Sequence, residues 1–144
     1  MSGKILPEVQ EIMNERFHQD TLIGLATTDG MIPSVRTVNS YYQNGAFYVI
    51  TDAQSHKMKQ IEENSNVAIC GEWLTAHGVG KNLGHILDKK NEKIAKELRN
   101  AFASWYQNGH IQEEDPNTCI LCIQLTDGIL FSHGARYDID FTVD

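Results

Sequence analysis

The sequence predicts a mainly β protein, an antiparallel barrel or sandwich carrying about three helices. Three observations predict it. Asp29-Gly30, Asn44-Gly45 and Asp127-Gly128 each stand between apolar runs. An aspartate or asparagine followed by glycine is the strongest local hairpin signal, because both residues tolerate the positive φ that tight hairpin turns require. Short apolar or alternating stretches flank these dipeptides, as strands do, and helical spacing is confined to three segments. Six or more strands with tight turns, interrupted by helices, form an antiparallel barrel or sandwich.

The elements follow in chain order. Val9, Ile12, Met13 and Phe17 lie at helical spacing behind Pro7, a residue suited to a first turn, and predict an amphipathic helix over 6–18. TLIGLATT, MIPSVRTVNSYY and AFYVIT then read as three consecutive antiparallel strands. Ser55 is placed to cap a short helix with Met58 and Ile61 inward, leaving through Asn64-Ser65-Asn66. NVAICGEW resumes the β pattern, and Leu74 to Leu87 is expected to continue it with bends at its glycines. Ile94, Leu98, Ala101, Phe102 and Trp105 predict the longest helix, about 88–107, ending near Gly109. Residues 108–117 form a polar loop. TCILCIQLT and ILFSH form a hairpin around Asp127-Gly128, and YDIDFTV closes the chain.

The 144 residues suit one domain, 1–144, with no linker or repeat. Twelve basic against nineteen acidic residues give a net charge of −7, a field that opposes a phosphate backbone, so nucleic acid is not an expected partner. No window reaches the roughly 18 apolar residues of a membrane helix, and the N-terminus lacks a signal-peptide core. A cytoplasmic location is expected, and Cys70, Cys119 and Cys122 do not suggest a disulfide framework.

Most motif-like segments have structural readings. GVGKNLG, from Gly78 to Gly84, fails both nucleotide-loop patterns and reads as glycines that let a strand bend or another backbone approach. Cys119 and Cys122 sit three apart in a strand, on opposite faces, and read as core residues. The six histidines make no metal pattern, and no serine occupies a nucleophile elbow. Tyr41, Tyr42, Trp73, Trp105 and Tyr106 read as core or interface aromatics.

TDAQSHK, Thr51 to Lys57, stands apart. A strand ends, a capping serine follows, and His56 and Lys57 occupy the first helical turn. Free N–H groups and the partial positive charge of a helix N-terminus suit an anion. A lysine there opposes the helix dipole by a few tenths of a kcal/mol up to about 1, and a bound phosphate relieves that repulsion. A plain surface turn is the alternative reading of the same residues.

The order of IGLATTDG, PSVRTVN, FYVITDAQSHKMKQIEENSNVAI and RYDIDF resembles the pyridoxamine-5′-phosphate-oxidase-like FMN-binding split-barrel family, in its general-stress-protein branch. The resemblance implies a six-stranded antiparallel split barrel binding FMN. It implies Arg36 and Lys57 as phosphate ligands, Ser55 as the capping hydroxyl, and His56 where the family usually has arginine. Thr37, Val38, Asn39, Ile50 and Thr51 would flank the flavin ring. It implies a homodimer with the cofactor at the subunit interface, to which Trp73, His77 and Trp105 are candidate contributors. A flavin-dependent oxidoreductase with a small-molecule substrate or nicotinamide donor follows. The alternatives are a non-catalytic flavin carrier, or a split barrel binding haem or deazaflavin. The true oxidase has a longer, arginine-bearing C-terminal substrate segment with no counterpart in YDIDFTVD, so oxidation of pyridoxamine phosphate is not expected.

Overall fold

Proline at the first helical position starts α1, Pro7–Phe17, whose Val9, Met13 and Phe17 are buried. The computed structural model describes residues 5–108 and 111–142. Three strands follow: β1, Thr21–Thr28, β2, Pro33–Gln43, and β3, Ala46–Asp52. The two glycine turns between them form as the sequence predicts. Asp29 accepts hydrogen bonds from the backbone of Met31 and Ile32, and Gly30, Asn44 and Gly45 have φ of 106°, 49° and 84°. Next come α2, His56–Glu63, β4, Asn66–Gly71, and β5, Leu74–His85. A single 3₁₀ turn, Lys89–Asn91, leads into α3, Glu92–Ala101, and α4, Ala103–Tyr106. The long β6, Thr118–Ser132, and β7, Ala135–Asp140, complete the fold.

The strands pair in the order β3-β2-β1-β4-β5-β6-β7, and β3 also pairs with β6. Six strands therefore close an antiparallel barrel, and β7 lies outside the ring. The fold is a split barrel. Ile23, Leu25, Phe47, Val49, Ile69, Leu121 and Ile123 fill its interior together with Met13 and Phe17 of α1 and Met58 and Ile61 of α2. A second cluster forms where Ala95, Leu98, Phe102 and Tyr106 pack α3 and α4 against Tyr41, Ile86 and Ile120. Fully buried Leu98 and Phe102 each contribute roughly 1.5–3 kcal/mol to that docking. Among the described residues, no helix is long and apolar enough to cross a membrane.

The structure corrects four local expectations. Asp127-Gly128 is no turn: it lies within β6, and the hairpin turn is His133-Gly134, with φ of 53° and 79°. A Cβ on Gly128 would meet Thr75 O at 3.1 Å and the Phe141 ring at 3.2 Å, so this glycine serves a close approach. Next to it the register slips, His77 facing Asp127 but Gly78 facing Leu125. The extra residue, Thr126, is a bulge at the point where β6 exchanges β3 for β7 as its neighbour. Second, NVAICGEW is not one strand; β4 ends at Gly71, and β5 returns antiparallel after a tight turn that holds Trp73 at φ 54°. Third, the helix expected over 88–107 breaks near Phe102 into α3 and α4. Gly109 and His110, within the expected loop, lie outside the described residues. Fourth, Cys119 is buried but Cys122 is only half-buried, on the other face beside Tyr48.

The glycines of GVGKNLG do permit close approach. A Cβ on Gly78 would meet Gln124 O at 2.8 Å, and one on Gly80 would meet Ile61 at 3.1 Å.

Candidate functional site

The split in the barrel opens between β2 and β3. β2 pairs with β1 from Ser40 back to Pro33, but with β3 only through Tyr41, Tyr42 and Gln43. β3 runs on to Asp52, held from its other side by β6. Beyond Tyr41 the two strands therefore part. Val38 and Asn39 face Val49, Ile50 and Thr51 across a cleft of about 240 Å³, with Lys57 also on its lining and Phe102 and Trp105 of the helical segment and Ile111 of the loop beyond it as the opposite wall. Strand edges that no longer bond each other leave backbone donors and acceptors for a ligand.

Alternation along β2 turns Arg36 toward the barrel, opposite Leu25. Its Nη1 donates to Thr27 Oγ1 at 2.7 Å and to Leu25 O at 3.2 Å. Burial pushes the Arg36 pKa down; burial first, and then the Arg36 charge, push that of Lys57 down. The two cations thus sense each other. Neither is in an ion pair among the described residues. Ser55 stands at the N-cap of α2 with extended backbone, but its hydroxyl makes no capping bond. The expected capping role fails: Ser55 Oγ is buried without any partner.

Val38, Asn39, Ile50, Thr51 and Lys57, all expected from the sequence, thus come together on one cleft, and the Arg36 charge is felt by Lys57. Thr37 and His56 do not join them. Thr37 is exposed on the outer face, opposite Gly24, because neighbouring strand residues point to opposite sides. His56 is exposed, and its charge is felt by Asp29 at the β1–β2 turn. Trp73 is 70% exposed in the β4–β5 turn. His77, also outside, bonds Asp127 at 2.9 Å.

The helical wall is held by polar bonds. Asp20 accepts from Asn39 Nδ2 at 3.1 Å and from Trp105 Nε1 at 2.9 Å, joining β2 to α4 beside the cleft. Trp105 stacks on Phe102 at 4.9 Å. Arg99 grips Glu113 through two bonds of 2.8 and 3.3 Å, and the Tyr106 hydroxyl donates to the same carboxylate. Arg99 accordingly holds Glu113 below its ordinary pKa, while burial and Glu113 push Tyr106 up. These bonds fix the segment that carries Ile111. Asp20 and Ile111 carry no sequence signal for such a role, and Phe102 reads as plain helix core.

A family model described as Pyridoxamine 5'-phosphate oxidase matches residues 9–131, from α1 almost to the end of β6. The chain belongs to that family. No curated protein matches it by sequence. Among solved structures, this family member is similar to General Stress Protein 26 from Bacillus anthracis str. Sterne, at 20% identity and a TM-score of 0.68, covering 92% of this chain and 99% of that one. An FAD-binding protein from Mesorhizobium loti is similar at 12% identity and a TM-score of 0.63, over 87% of this chain and 94% of that one. A heme binding protein from Mycobacterium smegmatis is similar at 12% identity and a TM-score of 0.65, over 85% of this chain but 54% of that one. At such identities the likeness is one of fold.

Proposed function

We propose that this chain binds FMN in the β2–β3 split and works as a flavin-dependent oxidoreductase. One observation carries the reading: a buried Ser55 hydroxyl with no partner opens the helix that bears Lys57, and neither Lys57 nor Arg36 is in an ion pair. In a protein of net charge −7, two cations that feel each other and stand outside any ion pair among the described residues, with Asp52 acting on Lys57 only at longer range, suit an anion, since buried polar groups are almost always partnered. Arg36, Ser55 and Lys57 would hold the phosphate. Val38, Asn39, Ile50 and Thr51 would border the ring, with Trp105 opposite them. Thr37 and His56 have peripheral places in this reading. Family membership and the FAD-binding neighbour support a flavin as the ligand.

Bound FMN would supply hydride and electron transfer. The chain's own residues orient the group and keep water from it: Asp20 holds Trp105 in place, and Ile111 and Phe102 close the apolar side.

A homodimer belongs to the same proposal. Leu22 and Val35 are 61% and 73% exposed on the outer face of β1 and β2, next to a shallow groove floored by Gly24, Ala26, Ala68 and Cys70. A second copy is the occupant that fits a cofactor site at a subunit interface. A cytoplasmic location agrees with three cysteines that are all free.

Absorption spectra of the purified protein, with and without added FMN, test the cofactor. Bound flavin gives bands in the blue and near ultraviolet, whereas a Soret band, or no binding, overturns the reading. Anaerobic addition of NADH or NADPH then tests the activity. Bleaching by either supports an oxidoreductase, and bleaching by neither favours a non-catalytic flavin carrier.

A further inference from the structure

We infer that Thr27 and Gln60 are positioning residues for the phosphate grip, together setting the direction in which Arg36 presents its guanidinium and tying it to the helix that carries Ser55 and Lys57. The inference rests on the FMN reading. Thr27 on β1 and Gln60 on α2 are 1% and 6% exposed, and polar side chains so deep need each other's bonds. The Thr27 hydroxyl lies 2.7 Å from Arg36 Nη1 and 2.5 Å from Gln60 Oε1.

The chemistry fixes the direction of this chain. A guanidinium only donates, so the single Thr27 proton must go to Gln60, which leaves the hydroxyl's lone pairs for Arg36. Gln60, by taking the Thr27 proton, fixes the rotation of the hydroxyl and so the direction in which its lone pairs meet Arg36. Every protein bond of Arg36 among the described residues is made by Nη1, the others reaching Leu25 O and, at 3.5 Å, Ser34 O. Nε and Nη2 remain for a ligand. Two parallel N–H donors are the geometry that recognises a phosphate in bidentate fashion. Because Gln60 lies one turn beyond His56 and Lys57 on α2, the same chain of bonds sets the distance between Arg36 and the helix start.

Thr27→Val keeps the shape and deletes the hydroxyl. Affinities for FMN and for riboflavin, which lacks the phosphate, are measured by flavin fluorescence in the wild type, Thr27→Val, Thr27→Ser and Gln60→Met. We expect the FMN dissociation constant of Thr27→Val to rise about tenfold, the scale of one hydrogen bond to a charged group. Riboflavin binding should change less than about twofold, Thr27→Ser should regain FMN affinity, and Gln60→Met should follow Thr27→Val. Equal losses for both ligands, with a lower melting temperature, would show a merely structural role and overturn the inference. An unchanged FMN-to-riboflavin preference in both Thr27→Val and Gln60→Met overturns it too. A wild type that binds FMN no better than riboflavin refutes the phosphate grip itself, and this inference with it.

Discussion

Arg99 and Arg36 are the same residue type in opposite circumstances. Arg99 is forked onto Glu113, and Tyr106 completes that carboxylate's bonds. Among the described residues Arg36 has only one side-chain hydroxyl and carbonyl oxygens as acceptors, and its charge is felt by Lys57. The first group is satisfied and holds a wall; the second is left needing negative charge. The difference teaches that the proposed phosphate end of the cleft is marked by polar groups the fold leaves incomplete, not by its volume.

The contrast is broken most directly by removing the unpaired cations. Arg36→Ala and Lys57→Ala should each weaken FMN binding on the order of 10- to 100-fold, the value of a charge-assisted bond of about 1.5–3 kcal/mol. Thermal unfolding of the apo proteins should stay near wild type. Wild-type FMN affinity in both variants would place the phosphate elsewhere.

Ser55→Ala sharpens it with a smaller effect. The hydroxyl has no partner to lose, so the apo protein should not be destabilised, whereas an ordinary cap-to-alanine change costs about 1 kcal/mol. FMN affinity should fall by several-fold, on the scale of a neutral hydrogen bond of about 1 kcal/mol. Loss of apo stability without loss of affinity would restore the ordinary capping role.

The partnered side responds to acid. Arg99 lowers the Glu113 pKa from 4.5, so the folded state favours the carboxylate. Stability from this pair is full above that value and is lost as pH falls through the lowered one. Because the pair is partly solvated, Glu113→Gln should cost only about 1 kcal/mol near neutral pH, and nothing once the wild-type carboxylate is protonated. A constant difference between the two melting curves across pH 2–7 would show that Glu113 contributes no charge-dependent stability.

Much of the frame was legible in the chain. Asp29-Gly30 and Asn44-Gly45 marked true turns because both depend on backbone preferences that neighbours do not override. Asp127-Gly128 carries the same signature and lies inside β6, since there the glycine answers to Phe141 and Thr75 across the sheet. Trp73 at φ 54° carries no turn signature at all. For the candidate site, Arg36, Val38, Asn39, Ile50, Thr51 and Lys57 were named through the family resemblance, but the part played by Asp20 was invisible: its partners Asn39 and Trp105 are 19 and 85 residues away.

By itself, then, the sequence determined the β-rich class, two of the hairpins, the helix start at Ser55 and His56, and the residues able to carry positive charge. These depend on local backbone preference and side-chain chemistry. Only the tertiary structure decided that β2 and β3 part after Tyr41, that Thr37 and His56 face away from the cleft, and that Ser55 keeps an unpartnered hydroxyl. Those outcomes depend on strand closure and burial, which are set by residues far apart in the chain.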